Sequence, residues 1–375
     1  MLPKATVALH GGCFTENFGD ELLIAIHSKW VRQITDSQVV LPYGVKVYDE
    51  QVHALNVKGI EALKSAKKLI YSGGGYLGEP NHNQISWGFS FFKRKHFLPA
   101  EYFHFNKKPY AIIGAGAGPL TNIFTRKEVV RMCKHAEILA VRDDESANYL
   151  AEYGVPQSKI KVTADLVLSL GLEDIENRDI EKAKDLLRGG EGKKLVGIHL
   201  GISKTNENYA SQAVQIIDTI VDFFNNNPDF VPVLIADKRN SSEQNLSIQE
   251  IGEKLIREYI VYKHSDIWLT CAVLSQLECV VTTKLHVGIT AYSLGTRALS
   301  LAAHNKTVRF FKQIQQEENC IPLEQLNDLA YFQSKLHSFI TMSQEKSQQE
   351  ITLRQQIKER SLENKRLTEK YLIGK

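Results

Sequence analysis

The feature that most constrains this chain is a repeated alternation. A short apolar run is followed by a Gly-rich or polar turn, and then by a segment with helical period. Ala5–Leu9 reads as a strand and Asp20–Arg32 as the helix after it, with Leu22, Leu23, Ile26, Trp30 and Val31 on one stripe. Leu69–Ser72, Tyr110–Gly114, Ile138–Val141 and Ile160–Thr163 read as further strands, with helices over Arg126–His135 and Glu145–Tyr153. Strands alternating with helices imply a mainly parallel sheet covered on both faces. Right-handed crossovers then bring the loops after the strands to one edge, where ligands bind.

The alternation weakens over Leu170–Lys194, a charged stretch that ends Gly-rich and reads as a linker with a surface helix. It restarts with strands over Leu195–Leu200, Val231–Ile235, Tyr259–Tyr262, Cys279–Val281 and Ala298–Leu301. Helices over Ala210–Phe224, Glu243–Arg257, Ile267–Gln276 and Leu285–Ser293 lie between them. A length of 375 residues suits two domains of about 100–200 residues each. The expected fold class is α/β, with two doubly wound Rossmann-like domains over 1–175 and 190–340. A tail over 341–375 reads as a helix, because Ser343–Lys375 lacks Pro and carries Gly only at 374. Its apolar seam (Ile351, Ile357, Leu362, Leu367) is thin. Either it is a solvated helix or it straps back onto the first domain.

Composition excludes several classes. The charge sum of +3 argues against a protein that coats nucleic acid, though not against one local cationic pocket. Five cysteines with no CxxC pair favour a reducing compartment over a disulfide framework or a structural zinc site. No metal set of the HExxH type is present. No run approaches the roughly 20 apolar residues of a membrane span, and no secretory signal is visible, so the expected location is the cytoplasm.

Six stretches carry the candidate chemistry. GGCFTENFGDELL (11–23) lies at a strand-to-helix junction, where Gly11 and Gly12 allow close ligand approach and Asn17 and Asp20 are good helix caps. The plain alternative is that Asp20 only caps the helix. SGGGYLGE (72–79) puts Gly73, Gly74 and Gly75 directly after a strand, and GAGAGP (114–119) puts Gly114 and Gly116 at the end of another. Three Gly-rich strand ends in one half point to a crevice more strongly than any one of them. AVRDDES (140–146) offers Arg142, for which pairing with a carboxylate, with Asp143 or Asp144 capping a helix, is the reading favoured over catalysis. VTADLVLSL places Asp165 at a strand end. Finally, TTKLHVGITAYSLGTRALSLAAHNKTVRFF (282–311) sets Lys284 beside His286 at the opening of a helix, with Lys306 and Arg309 after the next strand. Three cations and an imidazole at neighbouring strand ends suit a small phosphorylated or carboxylated ligand.

In this order the stretches resemble the polysaccharide pyruvyl transferase family: Asn17–Glu21, Gly73–Gly75, Gly114–Pro119, Val141–Ser146, Thr163–Asp165 and Lys284–Lys306. The match spans about residues 5–311. The resemblance implies a glycosyltransferase-B-like fold in which two domains face a cleft. It also implies phosphoenolpyruvate as co-substrate, without a cofactor or metal, and a saccharide or lipid-linked oligosaccharide acceptor that receives a pyruvate ketal. Peripheral membrane association and a homo-oligomer stay open, and nucleic acid is not expected as a partner. Lys284 stands where the family usually has Arg, and Thr296 where Pro is common. On this reading His286 is the acid/base and Asp20 a second candidate for proton transfer. Lys284, Lys306 and Arg309 hold the donor. Gly11, Gly12, Asn17, Gly73, Gly74, Gly75, Gly114, Gly116, Arg142 and Asp165 line the acceptor side or the cleft. Two alternatives remain: a nucleotide-sugar glycosyltransferase on the same fold, and a non-catalytic relative.

Overall fold

The computed structural model describes residues 6–14, 16–45, 50–79, 87–201, 210–239, 241–302, 304–342 and 347–374. Ala5 of the first expected strand and residues 343–346 of the expected tail helix lie outside them. The chain divides into two units. Unit 1 comprises residues 1–16, 20–169 and 356–375, and unit 2 comprises residues 17–19 and 170–355.

Among the described residues, unit 1 holds a seven-stranded, all-parallel sheet. Its strands are β1 (Thr6–His10), β2 (Gln38–Val40), β3 (Lys68–Tyr71), β4 (Gly74–Leu77), β5 (Tyr110–Ala117), β6 (Ile138–Val141) and β7 (Ile160–Val162). The spatial order is β2-β1-β3-β5-β6-β7, with β4 against β5. Every residue of β5 is buried, as expected of a central strand covered on both faces. Tyr71, Phe92, Phe103, Tyr110 and Met132 pack with it in one core. Helix Ile123–His135 starts at Asn122, whose side chain accepts the N–H groups of Phe124 and Thr125.

Unit 2 has a six-stranded parallel sheet among its described residues. The strands are β8 (Lys194–His199), β9 (Phe230–Ala236), β10 (Ile260–Lys263), β11 (Cys279–Thr282), β12 (Arg297–Ala302) and β13 (Cys320–Pro322), in the order β10-β9-β8-β11-β12-β13. Helices Ala210–Asn226 and Leu329–Thr341 cover one core, built on Val196, Ile198, Leu299 and Leu301 with Ile220, Phe224, Phe332 and Leu336. The α/β class with two doubly wound parallel sheets is therefore the observed one. Residues 170–194 fold as part of unit 2, where helix Asn177–Leu186 packs against helix Ile267–Ser275.

The tail forms helix Gln348–Ile373, and from Gln356 onward it counts with unit 1. Its buried stripe is Ile357, Ser361, Asn364, Leu367, Thr368 and Tyr371, which follows the helical period but is half polar. Ser361 Oγ donates to Asp165 O at 2.7 Å, and Asn364 Nδ2 to Ala164 O at 2.8 Å. Tyr371 Oη donates to Pro109 O at 2.8 Å. The helix is held by satisfying buried carbonyls as much as by apolar contact, which is why an apolar seam alone understates it.

Candidate active site

In an open parallel sheet, ligands collect where the strand order reverses, beyond the carboxyl ends of the strands. In unit 2 that point lies between β8 and β11, whose last residues, His199 and Thr282, pair in register. His199 is fully buried, and its Nε2 meets Asp237 Oδ1 at 3.0 Å. A carboxylate only accepts, so Nε2 carries the proton. Gln244 Nε2 donates to the same oxygen, and Thr282 Oγ1 lies 3.3 Å from His199 Nδ1. Burial alone would raise the Asp237 carboxyl. His199, the nearby Lys284 cation and Gln244 outweigh it and hold the group well below the usual carboxylate range.

This buried chain supports the turn above it. The Lys284 backbone N–H donates to Thr282 Oγ1 at 2.9 Å, and the Gly201 N–H donates to Thr283 Oγ1 at 2.8 Å. Lys284 is the exposed residue that precedes helix Leu285–Ser293, and half-buried His286 lies in its first turn. Thr290 Oγ1 donates to His286 O at 2.6 Å and ties that turn to the next. Lys306 (exposed) and Arg309 (half-buried) lie on helix Asn305–Gln313, after β12 and one strand from β11. All four candidates are thus at the carboxyl edge of the unit 2 sheet.

Residues 17–19 complete this edge. Phe18 N–H donates to Asp237 O at 2.8 Å, and Asn17 forms an antiparallel bridge with Lys238. A Cβ on Gly19 would lie 2.5 Å from His286 Cβ, so only glycine permits this approach. Asn17 to Gly19 therefore count with unit 2, while Gly11, Gly12 and Asp20 count with unit 1.

In unit 1 the order reverses between β1 and β3. Gly11 follows β1 and Gly73 follows β3, and a Cβ on Gly11 would stand 3.6 Å from Gly73 O. The Asp20 carboxyl packs directly on Gly12. Two expectations are corrected here. Gly74 and Gly75 lie in β4 and not in a turn, and the strand expected to end at Gly114 continues through Gly116 to Ala117. The cause is pairing: β4 joins β5 at Ala115 and Ala117, and β6 joins it at Ala115, which carries the strand past Gly114. Gly116 has a separate reason, because a Cβ there would meet the Arg142 guanidinium at 2.8 Å. Arg142 is itself buried, with Nη1 3.2 Å from Asp165 Oδ2 and Nε 3.5 Å from Asp143 Oδ2. Asp143 also caps helix Asp144–Glu152 through the Ser146 N–H.

Several buried polar residues lie outside the set read from the sequence. His199 closes β8 and Asp237 directly follows β9, so attention to polar residues at the ends of buried apolar strands, the signal that singled out Lys284 and His286, points to them as well. At the end of β1, His10 Nε2 meets His96 Nδ1 at 2.8 Å, and Tyr76 stacks on His96 with ring centres 5.0 Å apart. Burial lowers both imidazoles, His96 to about 3.

The family model described as polysaccharide pyruvyl transferase matches residues 17–305. No curated protein matches the chain in sequence. Among solved structures, the chain is similar to Staphylococcus aureus MnaA in its co-structure with UDP, with TM-score 0.60 and 11% identity over 95% of this chain and 91% of that one. It is also similar to UDP-GlcNAc 2-epimerase from Neisseria meningitidis bound to UDP-GlcNAc, with TM-score 0.59 and 11% identity over 96% and 94%. Anabaena Alr3699/HepE in complex with UDP gives TM-score 0.56 and 13% identity over 99% and 98%. At these identities the likeness concerns the fold, which is glycosyltransferase-B-like.

Proposed function

The chain belongs to the polysaccharide pyruvyl transferase family, and we propose that this transferase moves pyruvate from phosphoenolpyruvate onto a hydroxyl pair of a saccharide, forming a ketal. The observation that supports the reading best is the grouping of His286 and Lys284 at the unit 2 switch point, above the buried Asp237–His199–Thr282 chain.

The chemistry makes definite demands. The donor's methylene carbon gains a proton and becomes the methyl group, while the adjacent carbon takes on oxocarbenium character. One sugar hydroxyl attacks that carbon and loses its proton. The bond to the bridging phosphate oxygen then breaks and phosphate leaves. The second hydroxyl closes the ring on the same carbon, and its proton departs with the phosphate or to water. An acid/base and cations for the donor's carboxylate and phosphate are required. His286 is assigned the acid/base role. Lys284, Lys306 and Arg309 are assigned to the donor, and these cations can neutralise it without a metal or organic cofactor. Asp20, beside Gly12, is the second candidate for proton transfer, on the acceptor's side with Gly11, Gly12 and Gly73.

A titration by calorimetry tests the donor. Phosphoenolpyruvate should bind wild type and bind Lys284→Ala more weakly, while UDP-sugars give no heat. Binding of a UDP-sugar but not phosphoenolpyruvate would overturn the reading in favour of glycosyl transfer.

A further inference from the structure

We propose that the solvent face of helix Ile123–His135, together with the end of helix Leu98–Phe105, docks on an anionic lipid bilayer. The first observation is the charge distribution. Residues 87–135 carry nine Lys and Arg against two Asp and Glu, a net +7, while the whole chain carries +3. Both carboxylates are engaged: Glu101 is buried against Arg131 at 2.7 Å, and Glu128 lies 3.9 Å from Lys93. The net +7 already counts both pairs.

The second observation is apolar exposure in the same place. Phe105 is 70% exposed, Phe124 60% and Ile123 56%. Phe89, also exposed, lies with its ring 5.7 Å from that of Phe124. Along helix Ile123–His135 the exposed positions are Ile123, Phe124, Lys127, Arg131, Lys134 and His135, which follow the helical period down one face. Arg131 also lies over the Phe105 ring at 5.8 Å. Between the cations runs a shallow groove of about 410 Å³ lined by Arg126, Lys127, Arg131 and Lys134.

The two observations together select the partner. Exposed aromatic and aliphatic tips ringed by Lys and Arg match an interface that is apolar beneath and anionic at its surface. A nucleic acid or an acidic protein would engage the cations but leave Phe105, Ile123 and Phe124 in water. Among the described residues no helix is long and apolar enough to cross a membrane, so this contact is peripheral. It would hold the enzyme at a surface where lipid-linked saccharides are presented, yet the docking itself requires no particular reaction.

The test is co-sedimentation of the full chain with vesicles, with no substrate present. Vesicles of phosphatidylcholine with phosphatidylglycerol should retain the protein, vesicles of phosphatidylcholine alone should not, and added salt should weaken retention. At about fivefold per cation, Lys127→Gln with Lys134→Gln should lower the partition coefficient more than tenfold. Phe124→Ser should lower it several-fold and leave the salt dependence unchanged. Absent retention, equal retention by both vesicle types, or undiminished retention of the double variant would overturn the proposal. Binding of a short RNA that the double variant loses and Phe124→Ser keeps would assign the face to nucleic acid and overturn it equally. All three positions lie outside the catalytic set, so a failure here leaves the assignment of pyruvyl transfer untouched.

Discussion

The carboxyl edges of the two sheets solve different problems. In unit 1 glycines Gly11 and Gly73 flank the switch point, with the Asp20 carboxyl against Gly12, and the buried Arg142 pairs with Asp165 and Asp143. In unit 2 the edge presents Lys284 and His286, while the buried charge beneath them, Asp237, is paired with His199. One fold thus yields a surface shaped by missing side chains in one unit and a surface shaped by supported side chains in the other. The lesson is that a polar residue at a strand end has to be read by burial. Arg142 and Asp237 are buried in ion pairs, and the half-buried His286 is the residue proposed for chemistry.

The largest expected effect tests that assignment for Arg142. Arg142→Met takes the guanidinium from the buried Asp165 carboxylate, which keeps the Val167 N–H, and should cost unit 1 about 3–5 kcal/mol. Hydrogen exchange should show the loss at β6 and β7 and leave β8 and β11 protected. Equal loss in both units would break the contrast. Next, Lys284→Ala should weaken phosphoenolpyruvate binding by roughly 10–100-fold, the range of a hydrogen bond to a charged group. Lys284→Arg should stay within a few-fold of wild type, and an affinity unchanged in the Ala variant would remove Lys284 from the donor site.

Acid sharpens the comparison further. His27 in unit 1 is fully buried, with Nδ1 3.0 Å from Ser72 Oγ and Nε2 2.9 Å from Thr368 Oγ1, and burial lowers its imidazole to about 3. The unfolded chain takes up that proton below about pH 6.5, whereas the folded chain does so only near 3. Stability is therefore lost as pH falls through this window, by about 1.4 kcal/mol at pH 5.5 for His27 alone. In unit 2 the depressed Asp237 contributes stability above its unfolded value near 4 that is lost only below it. Unit 1 should loosen first on acidification, and His27→Gln should flatten its pH dependence. Loosening of unit 2 ahead of unit 1 would contradict the ordering. The smallest effect concerns Thr282, whose hydroxyl joins His199 to the Lys284 turn. Thr282→Val should raise the KM for phosphoenolpyruvate up to about tenfold with little change in kcat, and Thr282→Ser should restore it. An equal fall in kcat for both variants would indicate a general defect.

The sequence made the β–α alternation legible because buried parallel strands are short apolar runs with sharp ends. The patterns over Ile138–Val141 and Leu285–Ser293 coincide with the observed elements. Gln38–Val40 and Cys320–Pro322 carry no such signal, since their pairing comes from the neighbouring strand. Helix Asn305–Gln313 shows in the sequence only as two cations after a strand. The Gly runs marked the right edge but not its form, because the extension of β5 past Gly114 depends on partners distant in sequence. The split of Asn17 from Asp20 was likewise invisible, as the two are three residues apart and only Asp237 and Lys238 show which unit Asn17 joins.

The central claim is that unit 2 carries the reacting groups for pyruvyl transfer, with His286 as the acid/base. The direct measurement is phosphate release from phosphoenolpyruvate in the presence of a panel of galactose-, glucose- and mannosamine-type acceptors, read beside the acceptor's gain in mass of pyruvate less water. Wild type should show both in equal amounts. His286→Asn, folded by circular dichroism, should lose about 10²–10⁴-fold in rate. Turnover by that variant at the wild-type rate, or a mass gain without consumption of phosphoenolpyruvate, would contradict the account.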